Sequence, residues 1–181
     1  MSHAIASAWV GELAQRHLDA AYNLGRWLLG NEQDAADAVH DAYVRAARSA
    51  HTYAGGDARA WWLAIVRNCC LARLSSRKRD AQMQSIDAPS VAAALPRSAD
   101  NEVEDRAAAA QSGARIAAHL RALPVEFRET LVLREIEDLS YREIADVLQV
   151  PIGTVMSRLA RGRALLQRTL AADMQETTHG L

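Results

Sequence analysis

Aromatic residues are scarce in this chain of 181 residues, at 5% of positions, and a single Phe is among them. Four prolines and nine glycines add little turn material. What remains is dominated by Ala, Leu and Arg, strong helix formers, so the composition points to an all-α protein and leaves no room for one large catalytic barrel. Cysteine is nearly absent: Cys69 and Cys70 are adjacent in an apolar run, which suits neither a disulfide framework nor a metal site with ligand spacing. They read as small core hydrophobes rather than redox sensors, and a reducing cytosol fits them. No apolar run approaches the ~18 residues of a membrane span, and the N-terminus lacks a basic stretch followed by an apolar one, so the chain is expected to stay where it is made, without membrane insertion. Hydrophobic residues at 50% and charged residues at 24% exclude wholesale disorder.

Net charge is also nearly absent, at -1, yet the charges are segregated. From Ala58 to Arg79 there are six basic residues (Arg59, Arg67, Arg73, Arg77, Lys78, Arg79) and no acidic one. From Asp80 to Asp105 the balance reverses, with six acids against Arg97 alone. Such blocks organise the chain.

Trp9, Leu13, Ala20, Leu24 and Trp27 or Leu28, with half-polar His17 between them, recur at three and four residues and predict one helical stripe that ends at Gly30 and Asn31. Asn31 caps a second helix, with Asp34 favourably placed in its first turn. That helix has a small-residue face (Ala35, Val39, Ala42, Ala46) and a charged stripe (Asp34, Asp37, Asp41, Arg45, Arg48). The stretch SAHTYAGGD reads as a loop whose Asp57 caps a third helix, Ala58 to about Arg79, carrying Trp61, Trp62, Ile65, Val66 and Cys69. Residues 1–79 then form a small helical bundle. Residues 80–100, with Pro89, Pro96 and a negative bias, read as a flexible acidic linker too poor in apolar residues to fuse two cores.

The second unit, residues 101–181, opens at Asn101 with Glu104 three residues on, a capping pattern, and its first helix runs to Leu123. Pro124 starts a helix to about Glu137, with Phe127, Leu131, Val132 and Ile136 as its apolar side. Ser140 to Glu143 is a capping box opening a short helix through Leu148, and a last helix extends to about Leu170. A short helix, a turn with Pro151, and a longer helix with Val155, Leu159 and Leu166 turned inward make a helix-turn-helix, with small Ala145 at the crossing. In such a unit the second helix enters the major groove of DNA. From Pro151 to Leu170 that helix holds four Arg and no acid, which suits base edges or phosphates. A solvated basic helix face is the plain alternative.

The stretch LPVEFRETLVLREIEDLSYREIADVLQVPIGTVMSRLARGRALL resembles the C-terminal promoter-binding domain of bacterial sigma factors of the extracytoplasmic-function (ECF) type, and DAADAVHDAYVRA and AWWLAIVRN resemble the N-terminal one. The resemblance implies a non-enzymatic transcription-initiation subunit without cofactors. Its partners would be core RNA polymerase (clamp helices and flap), promoter DNA and an anti-sigma factor, and it would reside in the bacterial cytoplasm or be held at the membrane through that factor. By position, Arg134, Tyr141, Thr154, Ser157, Arg158, Arg161 and Arg163 would contact the minus-thirty-five element. Tyr53, Trp62, Arg67, Asn68, Arg73, Arg77 and Arg79 would contact and melt the minus-ten element. Asp34, Asp37, Asp41 and Arg45 would face the polymerase clamp, against the alternative of a solvated stripe with an Asp41–Arg45 pair. The linker would thread the polymerase channels. Trp61 matches a core residue of the family; Trp62, where Leu is usual, is similar to the duplex-opening Trp pair of housekeeping sigma factors, with simple packing as the other reading. Met156 departs from a common basic residue, and Gln149 from the usual turn Gly, which costs ~1 kcal/mol if the backbone there is left-handed.

Two other classes compete. A helix-turn-helix regulator acting outside the polymerase would need a dimerisation or receiver domain, and none is evident. A small all-α enzyme would need a catalytic constellation, but the six His form no ligand pair and there is no P-loop or nucleophile motif.

Overall fold

The computed structural model describes residues 3–84 and 104–179, all helix and connecting turns with no strand among them. In chain order the helices are α1 (His3–Arg16), α2 (Leu18–Leu29), α3 (Glu32–Ser49), α4 (Ala58–Gln84), α5 (Glu104–Ala122), α6 (Val125–Leu131), α7 (Tyr141–Leu148) and α8 (Ile152–His179). The Asn101 cap and residues 85–100 of the linker lie outside the described residues.

The stripe expected as one helix is broken at His17, the junction of α1 and α2. His17 N–H donates to the Leu13 carbonyl at 3.2 Å and the His17 carbonyl accepts from Ala21 N–H at 3.1 Å, so the axis turns without orphaning a backbone group. Gly30 ends α2 at φ 84°, and the Asn31 side chain caps α3 by accepting from Asp34 N–H at 2.8 Å. Small residues then let the helices approach closely: a Cβ on Gly25 would come within 3.1 Å of the Ala35 Cβ. Asp57 caps α4 through bonds from Arg59 and Ala60 N–H at 2.8 and 3.1 Å. Helix α4 supplies the bundle's centre with Trp62, Leu63, Val66, Cys69 and Cys70, all buried. Burial pushes the Cys70 thiol up to about 12, which keeps it protonated and inert as a core side chain.

In the second unit the helix expected to Glu137 changes pitch. After Leu131 one π turn, Val132–Ile136, widens the coil, and Asp138 then takes φ 51° to reverse the chain. The capping box forms as expected: Ser140 Oγ accepts from Glu143 N–H at 3.2 Å, and the Glu143 carboxylate accepts from Ser140 N–H at 2.6 Å. Gln149 sits at φ 54°, ψ 47°, so the position where the resembled family usually has Gly is left-handed here. A Cβ on Gly162 of α8 would meet Leu131 at 3.1 Å and Phe127 at 3.3 Å, so this glycine sets the distance between α8 and α6.

The two units are docked, with α4 against α7 and α2 against α6, and their buried residues form one contiguous cluster. The linker's apolar content, on which the expectation of separate cores rested, is not what joins them; the helices meet directly.

Two outcomes follow from the turn and the cap. Gln149→Gly relieves a left-handed side-chain conformation and should raise stability by about 1 kcal/mol, read as the denaturation midpoint. Hydrogen bonds from Ser140 hold the Glu143 carboxyl below its ordinary range. With the folded value depressed, the cap's contribution is complete above the unfolded value and disappears as pH falls through the folded one. Glu143→Gln should therefore flatten the acid limb of a stability-pH curve, and an unchanged limb would contradict the role.

Candidate nucleic-acid interface

Thr154, Ser157, Arg158 and Arg161 follow the spacing that places residues on one flank of a helix, opposite Val155 and Leu159, which are buried against α6 and α7. Ser157 and Arg161 are exposed, and Thr154 is half-buried. This is the arrangement of a recognition helix, with short donors near its N-terminus and a free guanidinium two turns in. Arg161 has no ion-pair partner among the described residues. Arg163 is engaged instead, donating to Glu135 at 2.6 and 3.1 Å. Arg134 donates to the Leu139 carbonyl at 2.8 Å and lies 5.5 Å over the Tyr141 ring, so these two candidates brace each other across the start of α7.

On the first unit, Tyr53 is part of an aromatic cluster, its ring centroid 4.9 Å from Trp9 and 5.6 Å from Trp61, with its hydroxyl donating to the Gly56 carbonyl at 2.6 Å. Trp61, expected as core, is only half-buried here. Trp62 is the fully buried one, and its indole N–H has no hydrogen-bond partner. Asn68, Arg77 and Arg79 are exposed.

Two candidate surfaces meet along α3 and α4. Arg73 pairs with Asp41 at 2.6 Å and lies 3.8 Å from Asp37, and Arg77 pairs with Asp34. Asp41 thus finds Arg73 across the bundle rather than Arg45 on its own helix. Arg45 is exposed. Beside this stripe an apolar groove of about 490 Å³ is lined by Leu18, Tyr22, Val39, His40 and Tyr43. Leu18 and Tyr43, at 49% and 37% exposure, form its open rim.

The strongest electrostatic feature was not anticipated. Glu129, 1% exposed, receives a bidentate pair from Arg67, Nε at 2.7 Å and Nη2 at 2.8 Å, and has Arg158 at 3.5 Å. One carboxylate therefore holds a minus-ten candidate from the first unit and a minus-thirty-five candidate from the second. Glu137 also reaches the first unit, its carboxylate accepting from Asn23 at 3.1 Å and its carbonyl from Arg59 at 2.9 Å. Glu129 had no clear sequence signal: it stands in the polar stretch Arg128, Glu129, Thr130 between Phe127 and Leu131, which reads like an ordinary solvated helix face. Trp9 had none beyond heading the first stripe. Among the described residues no group of three or more His, Cys, Asp or Glu could hold a metal ion.

Comparison with known proteins agrees with this geometry. The family model of Sigma-70 region 2 matches residues 13–80, and that of Sigma-70, region 4 matches residues 114–166. The chain is 34% identical over 160 residues to the ECF RNA polymerase sigma factor SigM of Mycobacterium tuberculosis, covering 88% of this chain and 76% of that one. It is 37% identical over 166 residues to SigE of Mycolicibacterium smegmatis, covering 92% of this chain but spanning 63% of that relative's length. Among solved structures, CnrH in complex with the cytosolic domain of CnrY aligns over 94% of this chain and 96% of its own, with TM-score 0.62 and 28% identity. The sigma factor RpoE of Bartonella quintana, solved with the anti-sigma factor NepR, shares the fold at TM-score 0.67 over 90% of this chain and 97% of its own, with 24% identity. With both regions matched in order, the chain belongs to the ECF family of RNA polymerase sigma factors.

The geometry separates the two arginines of α8. Arg158→Ala leaves Glu129 short of a partner and should lower stability as well as DNA affinity. Arg161→Ala should leave stability within ~0.5 kcal/mol but cost ~1 to 3 kcal/mol on the cognate upstream element, relaxing preference at one base. Binding to a panel of single-base-substituted elements at fixed salt checks this; equal losses across the panel would make Arg161 a phosphate contact only.

Proposed function

We propose that this chain acts as a sigma subunit, binding core RNA polymerase, directing it to a specialised set of promoters and helping to melt them, with no catalytic step of its own. The observation that carries the reading is the presence, in one chain and in family order, of a region-2 bundle and a helix-turn-helix with Ser157 and Arg161 exposed on its second helix. A regulator acting outside the polymerase has no use for the first of these units.

In this reading α8 enters the major groove at the minus-thirty-five element, with Thr154, Ser157 and Arg161 toward base edges and Arg134, Tyr141, Arg158 and Arg163 positioning or neutralising phosphates. The Tyr53 loop and Arg67, Asn68, Arg73, Arg77 and Arg79 of α4 take the minus-ten strand, supplying cations and, with Trp9 and Trp61, aromatic rings on which unstacked bases can lie. Full burial of Trp62 favours packing over a wedge role. Asp34, Asp37 and Asp41, with Arg45 and the neighbouring apolar groove, offer the clamp helices a surface that is apolar at its centre and charged at its edge. The linker threads the polymerase channels, and residues 1–79 and 101–181 serve as separate functional units.

An anti-sigma factor is the natural regulator. No described helix is long and apolar enough to cross a membrane. In this reading the chain works in the cytoplasm, and any membrane association runs through that partner.

Run-off transcription with core polymerase on genomic fragments tests the reading: defined transcripts should require this chain, and their absence would refute it. Asp41→Arg should weaken core binding at least ~10-fold while changing stability by less than ~1 kcal/mol, because the Asp41–Arg73 pair is half exposed. Unchanged core affinity in a triple Asp34, Asp37, Asp41 to Ala variant would remove this face from the interface.

A further inference from the structure

We propose that Met156, with Ile152 one turn before it, is a specificity-determining contact that seats the C5 methyl of a thymine in the upstream element, so that this chain selects one A·T pair through an apolar side chain rather than a hydrogen bond. The assignment rests on the reading of α8 as the helix that enters the major groove.

Met156 is 55% exposed and Ile152 45% exposed. Four residues apart on α8, they share one face, and that face adjoins Ser157 and Arg161 in the part of the helix that meets base edges. Met83, Ile116 and Ile136 are also exposed but stand singly on separate elements, as scattered apolar residues on any surface do. On α8 two large apolar side chains are paired where a solvated face would carry charge. The surface around them is low: a Cβ on Gly153 would meet nothing within 4 Å, and Ser157 and Ala160 are small and exposed. A base edge can therefore come close enough to touch the Met156 thioether.

Charge restricts the occupant. From Pro151 to Leu170 the helix carries four Arg and no acid, so a polyanion is drawn to it. Arg158 and Arg163 are partly neutralised by Glu129 and Glu135, and Arg161 keeps its charge beside the apolar pair. The chemistry of base edges then selects the base. In the major groove guanine offers acceptors, cytosine a donor and adenine both, whereas thymine sets a methyl group beside its single acceptor. Neither Ile152 nor Met156 has a donor for guanine, and a thioether sulfur is a weak acceptor for the cytosine amine. Polar edges pressed against these side chains would lose water without replacement, a cost that the thymine methyl avoids. The unbranched Met side chain adapts to the position of that methyl.

The test uses the holoenzyme, core polymerase with the full chain, on a promoter fragment that it transcribes. Each thymine of the upstream element is replaced singly by deoxyuridine, which removes the methyl and keeps every hydrogen-bonding group. One replacement should weaken binding about four-fold, the loss expected for one buried methyl. In Met156→Ala the same replacement should cost nothing, whereas Met156→Leu, apolar and of similar reach, should keep most of the penalty. Both variants should fold, since the side chain is exposed. A replacement that weakens wild type and Met156→Ala alike would overturn the methyl contact, and so would deoxyuridine without effect where whole base-pair exchanges weaken binding; either result leaves α8 in the groove. Indifference to whole base-pair exchanges throughout the element would remove α8 from the groove and the contact with it. Weaker binding of Met156→Ala to core polymerase without DNA, with deoxyuridine sensitivity unchanged, would assign this face to a protein partner instead.

Discussion

A single buried carboxylate organises much of this molecule. Glu129 sits at 1% exposure with Arg67 and Arg158 as its counter-ions, one from each unit. A carboxylate in that position must be paired, because an isolated charge costs several kcal/mol in a desolvated site, and removing one partner of a buried pair typically costs ~3 to 5 kcal/mol. The requirement acts twice. Within the second unit it ties α8 to α6, fixing the helix-turn-helix; across the seam it ties α4 to the same point. The geometry of the recognition helix and the relation between the units therefore depend on one residue.

Around that point the fold is built from small side chains and caps. Ala35, Ala38, Ala42 and Ala46 let α3 lie close to its neighbours, and Gly25 and Gly162 mark the closest helix approaches. With one Phe in the chain, bulk comes from Leu, Val and Trp62, and helix ends are specified by Asn31, Asp57 and Ser140 rather than by large apolar contacts. These features hold the charged side chains in place. The result is a scaffold whose polar residues, more than its core, distinguish its faces.

Much of this was legible in the sequence because it is local. Caps act over three residues, so Asn31, Asp57 and Ser140 could be read directly, whereas the left-handed turn at Gln149 was signalled only by the Gly that the resembled family usually has there. Apolar periodicity likewise located the helices, although it carried the first stripe through His17, since a kink that keeps its backbone hydrogen bonds leaves the period intact. The candidate residues were less legible where partners come from distant segments. Asp41 pairs with Arg73 and not with Arg45, Trp62 rather than Trp61 is the core residue, and Arg67 and Arg158 meet on Glu129. Sequence spacing reports neighbours along a helix and is silent on which helix lies opposite.

In the proposed function two DNA-reading units of one chain act together on a promoter when polymerase is present. The most direct measurement is a hydroxyl-radical footprint of the chain with core polymerase on a fragment that supports transcription. Two separate protected patches are expected, the upstream one lost selectively in Arg161→Ala and the downstream one weakened in Arg73→Ala. A single patch, or protection that persists unchanged when core polymerase is omitted, would contradict it.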